Sequence, residues 1–129
     1  TTIAFTSART GSSQVFTMPA AGGAPTQITN EVAGAFNPVW SADGTTIYFT
    51  SATGTLHLRR VSSSGGATKD FATDSLDLDA ASCNADACIA AEDPTGTRGS
   101  ILAFPAKGGK GVVVIPRTRN EREAAILVP

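Results

Sequence analysis

The chain has few of the residue types that most often carry chemistry. It contains one histidine, one tryptophan, one tyrosine, one methionine and two cysteines in 129 residues. His57 alone, with no second cysteine pair beside Cys83 and Cys88, is a poor supply of ligands for a tetrahedral metal centre, so no metal and no other cofactor is expected. Positive charge is not in excess either, because ten Lys and Arg stand against eleven Asp and Glu for a formal charge of -1. That balance gives no general electrostatic attraction to nucleic acid or to an acidic membrane surface. No apolar run approaches the roughly 20 residues that a membrane-crossing helix needs. The start of the chain shows no basic segment followed by an apolar one, and it begins at Thr1 instead of Met, as a processed chain or a piece of a longer one would. A sustained i, i+3, i+4, i+7 apolar pattern is also missing, so little or no helix is expected.

What the chain does have is a repeat. Gly22-Gly23, Gly65-Gly66 and Gly108-Gly109 follow one another at intervals of 43 residues. Ile28, Phe71 and Val114 come five residues after the second glycine of each pair, and Trp40, Cys83 and Ile126 come twelve residues later still. The opening Thr1-Thr2-Ile3-Ala4-Phe5-Thr6-Ser7 returns nearly unchanged as Thr45-Thr46-Ile47-Tyr48-Phe49-Thr50-Ser51. Within each unit, β-branched and aromatic residues form short runs bounded by turn residues. In the middle unit these predict four strands, from Ala35 to Ser41, Thr45 to Ser51, Thr55 to Val61 and Ala67 to Ala72. Asp43-Gly44 is expected to supply the positive φ angles of a tight hairpin between the first two, and Gly65-Gly66 those between the last two.

Four strands in a unit of about 40–45 residues describe a β-propeller blade, whereas solenoids of that period are helical. Apolar residues on both strand faces, Phe16 and Met18 on one and Val15 on the other, suit a sheet packed between two neighbours. The fold class read from the sequence is therefore all-β, three four-stranded blades in one half-propeller domain spanning 1–129. Blade 1 occupies 1–30, blade 2 occupies 31–73, blade 3 occupies 74–117, and 118–129 forms an innermost strand that completes another blade.

The stretch Ile3-Ala4-Phe5-Thr6-Ser7, Gln14-Val15-Phe16-Thr17-Met18, Gly22-Gly23 and Thr26-Gln27-Ile28-Thr29, followed by Asn37-Pro38-Val39-Trp40-Ser41-Ala42-Asp43-Gly44, resembles the TolB-type (WD40-like) propeller repeat. The resemblance is strong over residues 1–72 and weaker over 73–129, where the glycine pair persists without the Pro-x-Trp-Ser and Asp-Gly elements. It implies a six-bladed ring, a periplasmic or extracellular location and recognition of a protein or peptide. The same repeats occur in propellers attached to prolyl-oligopeptidase-like peptidases, so that association is a second reading. A propeller with a channel-centred active site is a third.

The chain length is three whole repeats, yet the first strand of blade 1 is missing and an extra innermost strand, Glu123 to Val128, ends the chain. Three blades cover half a turn, so the last strand cannot reach its own first blade. A homodimer in which each copy donates that strand to the other would close a six-bladed ring and cover two otherwise bare faces; an open piece of a longer propeller, or a ring whose other blades lie on a separate chain, is the alternative.

Cys83 and Cys88 flank the turn between the first two strands of blade 3, which brings them together across a hairpin. A disulfide, a reduced pair and a metal pair are the alternatives, and an oxidised pair would favour an exported location. His57 lies on the third strand of blade 2 and no serine occupies a Gly-x-Ser-x-Gly elbow, so the expected function is non-catalytic. Gly108-Gly109-Lys110-Gly111 lacks Walker spacing and is read as a hairpin. The candidate binding surface is the set of crossover loops around one channel mouth, Asn30 to Ala35, Thr73 to Asp77 and Thr118 to Glu123. The charged residues Arg117, Arg119, Glu121, Arg122 and Glu123 are the candidate contacts for a protein partner. Acidic residues cluster from Asp70 to Asp93 and basic ones from Lys107 to Arg122, two zones that could attract each other in an assembly.

Overall fold

The computed structural model describes residues 1–53, 55–71, 78–92 and 100–116. Within them the chain consists of strands and turns, arranged as three antiparallel sheets. The first sheet holds β1 (Thr2–Ser7), β2 (Gln14–Pro19) and β3 (Thr26–Gln27) in that order. The second holds β4 (Ala35–Trp40), β5 (Thr46–Thr53), β6 (Thr55–Ser62) and β7 (Lys69–Asp70). The third holds β8 (Leu78–Cys83), β9 (Ala87–Glu92), β10 (Ile101–Pro105) and β11 (Val112–Ile115). Each sheet is a meander in which consecutive strands are neighbours, and the repeat survives as pairing register. Phe16 opposite Gln27, Arg59 opposite Asp70 and Leu102 opposite Val113 are the same pair in three blades.

The sheets stack through two apolar seams. Blade 1 meets blade 2 around Val15, Ile28, Ile47, Phe49 and Val61, with Trp40 packed against them. Blade 2 meets blade 3 around Tyr48, Leu58, Phe71, Leu102 and Phe104. Alternation along β5 explains how one strand serves both: Ile47 and Phe49 point to blade 1, while Tyr48 points to blade 3.

The repeated glycine pair has a structural cause. The turns Pro19–Gly22, Ser62–Gly65 and Pro105–Gly108 each close by donation from the glycine N–H to the first residue's carbonyl, at 3.0, 2.8 and 2.8 Å. The closing glycines sit at φ of 96°, 87° and 90°, where a β-carbon is penalised by about 1–2 kcal/mol. Close approach adds to this in blade 3. A β-carbon on Gly108 would lie 2.6 Å from the Phe71 carbonyl oxygen, and the Gly109 N–H donates to that same oxygen at 3.0 Å. The blade 2 and blade 3 turns thus rest against the end of the preceding blade's outermost strand, with Gly65 facing the Ile28 carbonyl at a looser 3.7 Å.

Three expectations need correction. The outermost strand of blade 2 is two residues, Lys69–Asp70, instead of the six from Ala67 to Ala72. The positive-φ Gly66 (110°) still turns the chain there, although the Phe71 N–H continues the bonding to the Leu58 carbonyl at 2.9 Å. At the Ser41–Gly44 turn only Gly44 (φ 71°) has positive φ; Asp43 does not. This loop is built on a four-residue turn closed by the Gly44 N–H on the Ser41 carbonyl at 3.0 Å, and such a turn needs one left-handed residue. Finally, a register shift between Ile101 and Leu102 puts Ile115 opposite Ile101, so Ile115 instead of Val114 takes the place held by Ile28 and Phe71. The expected terminal strand over 118–129 lies outside the described residues.

Candidate functional site

The crossover loop between blades 1 and 2 is the described member of the set expected around the channel mouth. It leaves β3, passes Ile28 to Gly34 and enters β4. Its first part is pinned from below by Gln14, a polar side chain fully buried at the start of β2. Gln14 Oε1 accepts from Thr29 Oγ1 at 2.8 Å and from the Glu31 N–H at 2.9 Å. Gln14 Nε2 donates to the Glu31 carbonyl at 2.7 Å and to Ser12 Oγ at 2.9 Å. Thr29 Oγ1 also accepts the Val15 N–H at 2.9 Å. One glutamine therefore satisfies both backbone groups of Glu31, and burying it without those bonds would cost several kcal/mol.

The far side of the loop is held equally firmly. Glu31 to Gly34 forms a turn closed by the Gly34 N–H on the Glu31 carbonyl at 3.1 Å. The Ala35 N–H donates to the Ser13 carbonyl at 2.8 Å, and Ser51 Oγ donates to the Gly34 carbonyl at 2.9 Å. Gly34 sits at φ 84°, and a β-carbon there would meet the Phe36 ring at 2.9 Å. The Glu31 carboxylate lies 3.8 Å from Arg59 Nε in the blade 1–2 seam, too long for a hydrogen bond. Arg59 is shared with Asp70 at 3.4 Å and donates to Thr68 Oγ1 at 3.0 Å. At the tip of this braced loop, Val32 is fully exposed.

Val32 was not singled out from the sequence, although its loop was. A valine between Glu31 and Ala33 carries no motif, and only the bracing shows that its exposure is imposed by the turn. The candidate contacts Arg117, Arg119, Glu121, Arg122 and Glu123 lie outside the described residues, as does the crossover Thr73 to Asp77. Of the acidic and basic zones, Asp74, Asp77, Asp93, Arg117, Arg119 and Arg122 fall there too.

The opposite end of the blades carries two shallow grooves, one over each seam. The first, of about 360 Å³, is lined by Thr2, Trp40, Gly44 and Ser63, so Trp40 packs on the core and borders a groove as well. The second, of about 540 Å³, is lined among others by Asp43, Tyr48, Arg60 and Asn84. There Tyr48 Oη donates to the Ala106 carbonyl at 3.0 Å and Arg60 Nη1 to the Lys107 carbonyl at 3.1 Å, tying blade 2 to the blade 3 turn. Burial pushes the Tyr48 hydroxyl above its ordinary range, with Arg60 opposing and Asp43 reinforcing that shift. Asp43 Oδ1 accepts from Ser41 Oγ at 2.7 Å, from the Thr45 N–H at 3.0 Å and from Thr45 Oγ1 at 2.8 Å. These bonds, led by the Ser41 hydroxyl, lower its carboxyl to about 2.

Cys83 and Cys88 are joined by a disulfide across the β8–β9 hairpin, with Cα atoms 4.0 Å apart. His57 lies directly opposite Ser51 in the β5–β6 register. The Ser51 hydroxyl is fully buried and donates to Gly34, so this pair does not present a nucleophile to solvent. Among the described residues no group of three or more His, Cys, Asp or Glu side chains is placed to hold a metal ion.

Comparison with known proteins gives the architecture its place. A protein assigned as TolB in Agrobacterium tumefaciens superimposes with a TM-score of 0.78 at 16% identity, over 90% of this chain and 47% of that one. The fold is that of a TolB-like propeller fragment. TolB from Acinetobacter baumannii matches with a TM-score of 0.65 at 21% identity, over 84% of this chain and 30% of that one. A puromycin-hydrolyzing peptidase from Mycobacterium tuberculosis matches with a TM-score of 0.70 at 10% identity, over 89% of this chain and 19% of that one. The chain spans less than half the length of each of these structures. No family model and no curated protein matches it.

Proposed function

We propose that the chain is a non-catalytic interaction module of the TolB type, in which the crossover loops at one mouth of a propeller recognise a protein or peptide partner in the periplasm or outside the cell. The observation that carries this reading is Val32, an apolar side chain held out to solvent on a loop fixed by Gln14 and Gly34. A rigid loop with an exposed apolar tip loses little entropy on binding, which favours recognition. The charged residues Arg117, Arg119, Glu121, Arg122 and Glu123 extend the same surface in this reading.

The test compares partners captured from the native host by the wild type, by Val32→Asp and by Ala42→Asp, the last on a turn at the opposite end of the blades. A partner lost with Val32→Asp and kept with Ala42→Asp supports the mouth. Capture unaffected by Val32→Asp, or peptide hydrolysis by the pure protein, overturns the reading.

The module works in this proposal within a six-bladed ring whose other half is a second copy. Support comes from the bare blade 1 end of the stack. Gly22 has the φ of Gly65 and Gly108, yet nothing lies within 4 Å of its β-carbon position, so its turn has the docking form without a preceding blade. Ile3, the counterpart of the buried Ile47, is 46% exposed on that side. Light scattering on the 129-residue chain is expected to give twice the 13.1 kDa of one copy, with Gly22→Ala shifting the mass toward the monomer. A wild-type mass of 13.1 kDa at all concentrations overturns the closed pair.

A further inference from the structure

The three outermost strands are equivalent in position and unlike in chemistry. β3 is Thr26–Gln27 and β7 is Lys69–Asp70, each two residues long and polar. Short, polar or charged edges are how sheets avoid pairing with foreign strands. β11 breaks that rule. It runs four residues, Val112 to Ile115, without a polar side chain, and their exposures are 66, 52, 52 and 39%. Among the described strands it is also the edge of its sheet, paired on one side by β10, so alternate backbone N–H and carbonyl groups point away from β10.

Ring closure would not remove this edge. Val113 lies opposite Leu102, whose side chain packs in the seam toward blade 2, so Val113 is on the side already covered by a neighbouring blade and is still half exposed. A blade stacked beyond blade 3 covers the other side of the sheet and leaves the outer rim open. Exposed Lys107 and Lys110 precede β11, and Pro116 follows it without an N–H to donate. These features define a footprint of about four residues with basic charge at its entrance.

We infer that β11 is a docking edge for an extended segment of another protein, added as a fifth strand to blade 3, with apolar residues at its centre and acidic residues at its ends. The charges select this occupant over a second copy. Antiparallel pairing of β11 with itself would bring Lys107 and Lys110 of one copy beside the Arg117, Arg119 and Arg122 run that follows Pro116 in the other. Like charges facing one another across strands are destabilising.

The probe is a synthetic eight-residue peptide of alternating valine and threonine with two acidic residues at each end, titrated into the isotopically labelled 129-residue chain by NMR. The expected result is saturable binding, with amide shifts concentrated in β10 and β11. Methylating alternate backbone nitrogens of the peptide, or exchanging its acidic ends for lysines, is expected to weaken binding at least tenfold. Val113→Lys, which puts a charged side chain on this edge as Lys69 and Asp70 do on β7, is expected to do the same while leaving the melting temperature within a few degrees of wild type. Absence of saturable binding, or equal affinity for the methylated peptide, overturns the proposal. Self-association that Val113→Lys abolishes, in a protein that ignores the peptide, overturns it in favour of pairing between copies.

Discussion

The two seams perform the same task with different side chains. Between blades 1 and 2 the aliphatic side chains of Val15, Ile28, Ile47 and Val61 surround Phe49 and are joined by Arg59, which lies between Glu31 and Asp70. Between blades 2 and 3 the position of Arg59 is taken by Leu102, and the seam is aromatic, with Phe71 4.9 Å from the Tyr48 ring and 6.0 Å from the Phe104 ring. Both seams share the glycine turn set against the preceding outermost strand. The backbone device is therefore common to every junction, while the side-chain filling is free to vary as long as volume and polarity are matched within each seam.

The comparison is broken most severely at Phe71. Phe71→Ala removes the ring at the centre of the aromatic seam and is expected to cost about 3–5 kcal/mol in urea unfolding, with blade 3 amides losing hydrogen-exchange protection before those of blades 1 and 2. Equal loss across all blades would show that the seams do not melt separately. Replacing Cys83 and Cys88 together by Ser is expected to cost about 2 kcal/mol, because the bridge closes a short loop, and a reducing agent should reproduce the loss in the wild type alone.

A smaller effect separates the polar seam from the apolar one. A double-mutant cycle of Arg59→Leu and Glu31→Gln is expected to give a coupling of about 1 kcal/mol that decreases with salt, since both groups are only partly exposed and their contact is 3.8 Å. No coupling would show that Arg59 acts only through Thr68 and its aliphatic stem. The smallest effect is at Asp43. Its carboxyl is lowered from 3.8 to about 2, so its contribution is present above the unfolded value and is lost as pH falls through about 2. Melting temperature should decline for this reason between pH 4 and pH 2, and Asp43→Asn should flatten that part of the curve. An unchanged slope in the variant would show that the Ser41 and Thr45 bonds do not depend on the charge.

Much of the fold is legible in the sequence, because a repeat multiplies weak local signals. One Gly-Gly is a turn; three at 43-residue intervals define blades, and the strand register follows from them. The Cys83–Cys88 bridge is legible only as one of three alternatives, since hairpin spacing brings the sulfurs together without fixing their oxidation. The slip at Val114 is not legible, because a bulge adds a residue to the ladder while leaving the apolar run of β11 unchanged. Nor is the exposure of Val32, which depends on Gln14 hydrogen bonds reaching 17 residues along the chain. The outermost strands come out shorter than β-propensity suggests, because the turn before β7 uses residues that could otherwise have paired.

The glycine turn makes each junction directional, since one partner supplies a carbonyl at a strand end and the other a left-handed turn that accepts it. Units built this way add head to tail, so in the proposed ring two copies would meet through unlike surfaces. Such heterologous contacts seal into a ring when the rotation per blade sums to a full circle and run on into a filament when it does not. The tilt imposed at the Gly108–Phe71 contact would thus decide whether the proposed assembly is a closed particle or an endless one.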